Sequence, residues 1–187
     1  MATQPPRHPS REELLDLSLK AFLEAGTLDL SLDQLAMRVG ISKRMLIHYF
    51  GGRENIELGA IARLEERLRT QFAPENFPAG ISGEDVVMAL WEQTIAAASK
   101  PVLLLVMDIS RRAWKGWERA RAFYDEQQKL WVRLLLEFIP DRRRVEDVLQ
   151  VFQGATLAYL IAGDPEPGRR ALMSILSARP TNRKRRP

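Results

Sequence analysis

The chain has 187 residues, 45% apolar and 28% charged, which suits a globular protein with one good core or a small domain packed on a larger one. It has no cysteine, so disulfides and thiol chemistry are excluded, and no apolar run, Val102–Met107 included, approaches the roughly 20 residues that span a bilayer. The net charge of +4 belongs to the end of the chain: Arg179, Arg183, Lys184, Arg185 and Arg186 leave residues 1–178 at −1, so bulk charge is weak support for nucleic-acid binding.

In chain order, residues 1–9 carry three prolines and are expected to be a flexible arm without a signal-peptide-like apolar stretch, which suits a cytoplasmic location. Ser10-Arg-Glu-Glu13 forms a capping box that opens a helix carrying Leu15, Leu19, Phe22 and Leu23, stopped at Gly26. Ser31-Leu-Asp-Gln34 is a second capping box, and the short helix after it breaks at Gly40. Ser42 caps a third helix to Phe50, Gly51-Gly52 ends it, and Arg53 begins a fourth that reaches about Phe72. Pro74 to Gly83 reads as a linker.

Beyond the linker every segment has helical periodicity and none has sustained period-2 alternation. Helices are expected over Glu84–Ser99, from Pro101 to about Trp114, over Glu118–Ile139 as far as Pro140, from Asp141 to about Ala162, and over Arg169–Ala178 after a sharp turn at 164–168. The fold class is therefore all-α, about nine helices, with residues 10–55 as one domain, 56–178 as a second, and 179–187 as a flexible end.

Function concentrates in Leu32–Phe50. Two short helices crossing around a tight turn need a small residue where they cross, a residue tolerant of positive φ at the turn, and a shared apolar core. Ala36, Gly40 and the set Leu35, Val39, Ile41 and Leu46 fill those slots at helix-turn-helix spacing. Arg38, Lys43, Arg44 and Arg53 form a local cationic stretch with no acid between them.

These residues, extended to Leu32–Ile56 (LDQLAMRVGISKRMLIHYFGGRENI), resemble the DNA-binding domain of the TetR family of bacterial regulators. The resemblance covers roughly residues 10–60; the rest matches in helical architecture alone. If the helix from Ser42 enters a major groove, Lys43, Arg44 and Met45 face base edges: the cations can donate to guanine O6/N7 and the thioether can meet a thymine methyl. Solely phosphate contact by the cations is the alternative. The resemblance assigns Tyr49 and Arg53 to phosphate, while Ser31 and Ser42 could hold backbone oxygens at helix N-termini. His48 is expected to contact DNA rather than metal, Phe50 to be core, and Ile47 stands where the family usually has an aromatic residue.

In the second domain, Trp91, Met107, Trp114, Tyr124, Trp131 and Phe152 suit either core packing or the walls of a pocket for a small apolar effector. Asp108, in an apolar stretch, either orients that ligand or pairs with Arg111 or Arg112, the favoured reading. Gly154, Ala155 and Ala158 allow another helix to approach closely. With Phe152, Tyr159, Leu172, Ile175 and Leu176 they are the expected homodimer interface, a four-helix bundle by resemblance. No metal, cofactor or catalytic constellation is evident: there is no cysteine, no histidine pair and no phosphate-binding glycine loop. The resemblance implies a transcriptional repressor that binds a palindromic double-stranded operator as a dimer, released by a small effector, with no membrane role. The alternative is a helical protein-interaction adaptor.

Overall fold

A computed structural model describes residues 9–178; the expected flexible termini, 1–9 and 179–187, lie almost wholly outside the described residues. Those residues form nine α-helices and two short 3-10 turns: α1 Arg11–Ala25, α2 Leu32–Val39, α3 Lys43–Phe50, α4 Arg53–Gln71, α5 Gly83–Ile95, α6 Lys100–Trp114, α7 Glu118–Leu136, α8 Arg142–Ala162 and α9 Glu166–Ser177, with the turns at Pro74–Asn76 and Ala97–Ser99. The fold is the all-α class expected.

The starts and stops follow the residues anticipated for them. Both capping boxes form, with the Ser10 and Ser31 hydroxyls accepting from the amides of Glu13 and Gln34. Gly40 sits at φ 80°, a left-handed conformation that closes α2 while its N–H donates to the Ala36 carbonyl at 2.9 Å.

Three boundaries differ from expectation. The helix expected over Glu84–Ser99 ends at Ile95, because the Pro101 ring occupies the space of the Ala97 carbonyl in a continuous helix; residues 97–99 tighten into a 3-10 turn. The helix before Pro140 stops at Leu136, and Glu137 and Phe138 donate three residues back, to Leu134 and Leu135. Helix α9 begins at Glu166, inside the expected turn, where Pro167 is tolerated in the first turn and Asp164 accepts from the Glu166 amide at 3.0 Å.

The chain divides into two compact units that interleave in sequence, whereas the expected division at 55/56 is linear. Among the described residues the first comprises 9–70 and 101–125, the second 71–100 and 126–178. In the first unit, Leu14, Phe22, Leu28, Leu35, Leu46, Ile56, Leu64, Leu105 and Ile109 are fully buried or nearly so. In the second, the core joins α5 (Val86, Val87, Leu90, Trp91) to Leu134 and Leu135 of α7, Val145, Val148 and Leu149 of α8, and Leu172 and Leu176 of α9. Helix α9 sits close against α5 because Gly168 faces Trp91: a Cβ on that glycine would lie 2.6 Å from the indole ring. No described helix is long and apolar enough to cross a membrane.

Candidate nucleic-acid interface

The helix-turn-helix is built by local rules. Leu35, Ala36 and Val39 of α2 and Leu46 and Phe50 of α3 are buried, while Ile41 in the turn is half-buried. The Gly40 and Ile41 amides both donate to the Ala36 carbonyl, at 2.9 and 3.1 Å, which fixes the tight corner between the two helices. Burying Leu46 and Phe50 leaves the other side of α3 outward: Ser42, Lys43, Arg44, Ile47 and His48 are exposed, Met45 and Tyr49 half-buried. Ile47 is 42% exposed, an apolar side chain on an otherwise polar face. The rings of His48 and Tyr49 meet edge-on at 5.7 Å.

The two serine caps have unused capacity. Ser42 Oγ accepts from the Met45 amide and Ser31 Oγ from the Gln34 amide, each at 3.2 Å, so each hydroxyl proton remains available to an acceptor such as a phosphate oxygen.

Three of the four cations in the acid-free stretch from Arg38 to Arg53 are paired in space. Lys43 Nζ lies 2.9 Å from Asp33 Oδ2, and an Arg38 guanidinium nitrogen lies 4.0 Å from Glu24. Arg53, expected to meet phosphate, is 39% exposed and already engaged by the protein's own acceptors. Its Nε donates to Glu57 at 2.7 Å and its Nη2 to the Leu28 carbonyl at 3.0 Å, with Asp29 at 3.4 Å. Among the described residues only Arg44 of the four has no ion-pair partner. The signal for the Arg53–Glu57 pair was present as an i, i+4 spacing; that for Lys43–Asp33, ten residues apart across a turn, was not.

Behind this surface the same unit holds a charged cluster that sequence reasoning saw in one part only. Asp108, its side chain 9% exposed, accepts from the Leu28 amide at 3.0 Å, the Thr27 hydroxyl at 3.1 Å, Arg111 at 2.7 Å and Arg112 at 3.2 Å. Burial pushes its carboxyl up, but the Leu28 amide, Arg111, the Thr27 hydroxyl and the Arg112 charge together outweigh it and hold the group below the usual carboxylate range. Arg112 also reaches Asp29 at 2.7 Å and Glu57 at 3.7 Å. The favoured local pair for Asp108 is present, and the loop at residues 27–28 is an additional partner. An open cleft of about 450 Å³ beside the cluster is lined by Arg53, Glu54, Glu57, Arg112, Lys115 and Trp117, none of them expected from sequence as a pocket.

The residues expected to wall an effector pocket are split between the units. Met107, Asp108, Trp114 and Tyr124 belong to the first, where Trp114 is 85% and Tyr124 41% exposed. Trp91, Trp131 and Phe152 belong to the second. Trp91 is fully buried and edge-on to Phe152 at 5.7 Å and to Tyr159 at 6.3 Å, and Trp131 packs on Phe72 at 4.7 Å. The Trp91 indole N–H is buried with no hydrogen-bond partner among the described residues.

The expected dimer residues also divide. Ala155, Leu172 and Leu176 are buried inside the second unit, Phe152 and Tyr159 lie against Trp91, and the Tyr159 hydroxyl donates to the Ile95 carbonyl at 2.9 Å. Ile175 is half-buried; Gly154 and Ala158 are exposed. With those two, Leu157 (49% exposed), Ile161 (79%) and Met173 (49%), none of them expected from sequence, present apolar surface on α8 and α9.

Residues 14–57 match the family described as bacterial regulatory proteins, tetR family. A curated relative, the HTH-type transcriptional regulator BetI of Brucella anthropi, is 29% identical over 96 residues, spanning 46% of this chain and 50% of the relative. The match thus spans about half the length of that curated protein. Among solved structures, a transcriptional regulator of Streptomyces coelicolor superposes with TM-score 0.71 at 20% identity, covering 91% of this chain and all of the other. The multidrug binding protein EbrR, solved in complex with proflavin, superposes with TM-score 0.63 at 16% identity, covering 88% of this chain and 98% of its own. At these identities the structural likeness establishes the fold.

Proposed function

We propose, from the match of residues 14–57 to the bacterial tetR family, that the chain is a DNA-binding transcriptional repressor acting as a homodimer on a palindromic operator. The observation that carries this reading is the outer face of α3: a capped helix N-terminus with Ser42, Lys43 and Arg44 exposed on a helix locked to α2 by Gly40. Arg44 is free to take guanine O6/N7 bidentately, with Met45 beside it for a thymine methyl. The Ser31 and Ser42 hydroxyls, with Tyr49 and His48, supply phosphate contacts. Arg53 holds the start of α4 to the Leu28–Asp29 loop and presents its half-exposed guanidinium at the same surface.

Dimerisation is assigned to the exposed stripe Gly154, Leu157, Ala158 and Ile161 of α8, one helix face at i, i+3, i+4 and i+7, together with Met173 of α9. Two copies would then present their recognition helices about one DNA turn apart. A small, mainly apolar effector, bound among the aromatic side chains of the helical bundle, favours a spacing that no longer fits the operator.

The test is the double variant Lys43→Ala/Arg44→Ala in the full chain, titrated against duplex DNA carrying its upstream region. Loss of the two base contacts lowers affinity for that duplex by about 1–3 kcal/mol for each contact removed and reduces its preference over scrambled DNA. Unchanged affinity and preference would remove α3 as the reading head.

A further inference from the structure

We propose that Asp33 is a specificity-determining residue for DNA recognition, acting by tethering Lys43; the inference rests on the DNA-binding role of α3. Asp33 is the second residue of α2 and Lys43 the first of α3, so their 2.9 Å ion pair joins the first turns of the two helix-turn-helix helices. Both side chains are open to solvent, Asp33 71% and Lys43 49% exposed, and a pair so exposed adds little to stability. The other polar side chain of that α2 turn, Gln34, is occupied in the capping box with Ser31. Asp33 therefore places a carboxylate beside the exposed caps Ser31 and Ser42, where phosphate is expected. A negative charge there opposes the sequence-independent part of DNA affinity.

The two neighbouring cations consequently differ. Arg44 has no ion-pair partner among the described residues, whereas Lys43 must leave a carboxylate to reach DNA. A phosphate oxygen offers Lys43 an exchange of one anion for another while bringing Asp33 towards a second negative group. A guanine edge offers O6 and N7 to the ammonium without drawing Asp33 towards a second phosphate. The tether thus makes non-specific contact costly and a G·C pair favourable, which is discrimination by penalising the wrong partner.

The experiment uses the full chain and two labelled duplexes: one selected by the parent from a randomised library, and a scrambled version of it. Asp33→Asn is expected to bind the scrambled duplex about three- to tenfold tighter at low salt, with a salt slope steeper by about 0.9, the signature of one more phosphate contact. Preference for the selected duplex falls correspondingly. Asp33→Glu, which keeps a carboxylate, retains most of the parent's preference. In a Lys43→Ala background Asp33→Asn has a clearly smaller effect on both quantities, because only the direct repulsion between the carboxylate and phosphate is then relieved. The proposal is overturned if Asp33→Asn leaves slope and preference as in the parent. It is equally overturned if the shift is the same without Lys43, since that is general repulsion. A parent that selects no sequence and shows no salt-dependent binding refutes the DNA-binding reading itself, a different failure.

Discussion

Replacing Asp108 by alanine removes the acceptor that joins α6 to the loop entering the helix-turn-helix. Its carboxylate receives the Leu28 amide, the Thr27 hydroxyl, Arg111 and Arg112 at 2.7–3.2 Å. Breaking a buried ion pair from one side costs about 3–5 kcal/mol in a fully enclosed site. Two features reduce that here. Arg111 is 44% exposed and regains water, so its share is about 0–1 kcal/mol. Arg112, 16% exposed, keeps Asp29 at 2.7 Å and Glu57 at 3.7 Å. What remains is chiefly the Leu28 amide, on a residue with no exposed surface, stripped of its acceptor. An unmade bond of that kind, with the weakened Arg112 arrangement, gives a loss of about 2–3 kcal/mol. Asp108→Asn, which keeps one acceptor oxygen, loses about 1–2 kcal/mol by the same reasoning. Urea unfolding measures the total, and hydrogen exchange at the Leu28 amide localises it. Asp108→Ala within 0.5 kcal/mol of the parent, with Leu28 protection unchanged, would show that the cluster is incidental to the fold.

The same carboxylate sets an acid dependence. Because its folded pKa is depressed, its contribution is complete above the ordinary carboxylate value of about 4 and is lost as pH falls through the lower folded value; Asp108→Asn should therefore flatten the acid limb of stability measured by urea midpoint from pH 7 to pH 3. Gly168→Ala should cost about 1–3 kcal/mol by driving a methyl group into the buried Trp91 ring and towards Ala155, read as a lowered thermal midpoint; no change would mean that α9 can shift freely away from α5. Ile161→Glu, at a site 79% exposed, should leave the fold intact and convert a dimer to a monomer in sedimentation experiments; an unchanged dimer would place the interface elsewhere.

Much of the DNA-binding domain could be seen in the sequence because its determinants are local. Two capping boxes, the Gly40 stop and the apolar spacing from Leu35 to Leu46 involve partners a few residues apart, and each formed as the spacing implied. The electrostatics were less visible. The four cations from Arg38 to Arg53 form an acid-free stretch along the chain, yet Asp33, Glu24, Asp29 and Glu57 reach three of them from other turns and helices. The Asp108–Leu28 bond spans 80 residues and has no periodicity that could announce it. On α8 the sequence identifies small and apolar positions but not which stripe faces inward. Ala155 went to the chain's own core, whereas Leu157 and Ile161 stayed outside. Trp91 illustrates the same ambiguity, since a large aromatic in a helical bundle suits a cavity wall and a core equally, and Gly168 on a distant helix packs it into the core.

The most direct test of the account is a footprint of the purified full chain on the DNA upstream of its own coding region. Two symmetric protected half-sites centred about one helical turn apart are expected, with protection lost in Lys43→Ala/Arg44→Ala. No protection at any site under low-salt conditions, or protection indifferent to those two residues, would contradict it.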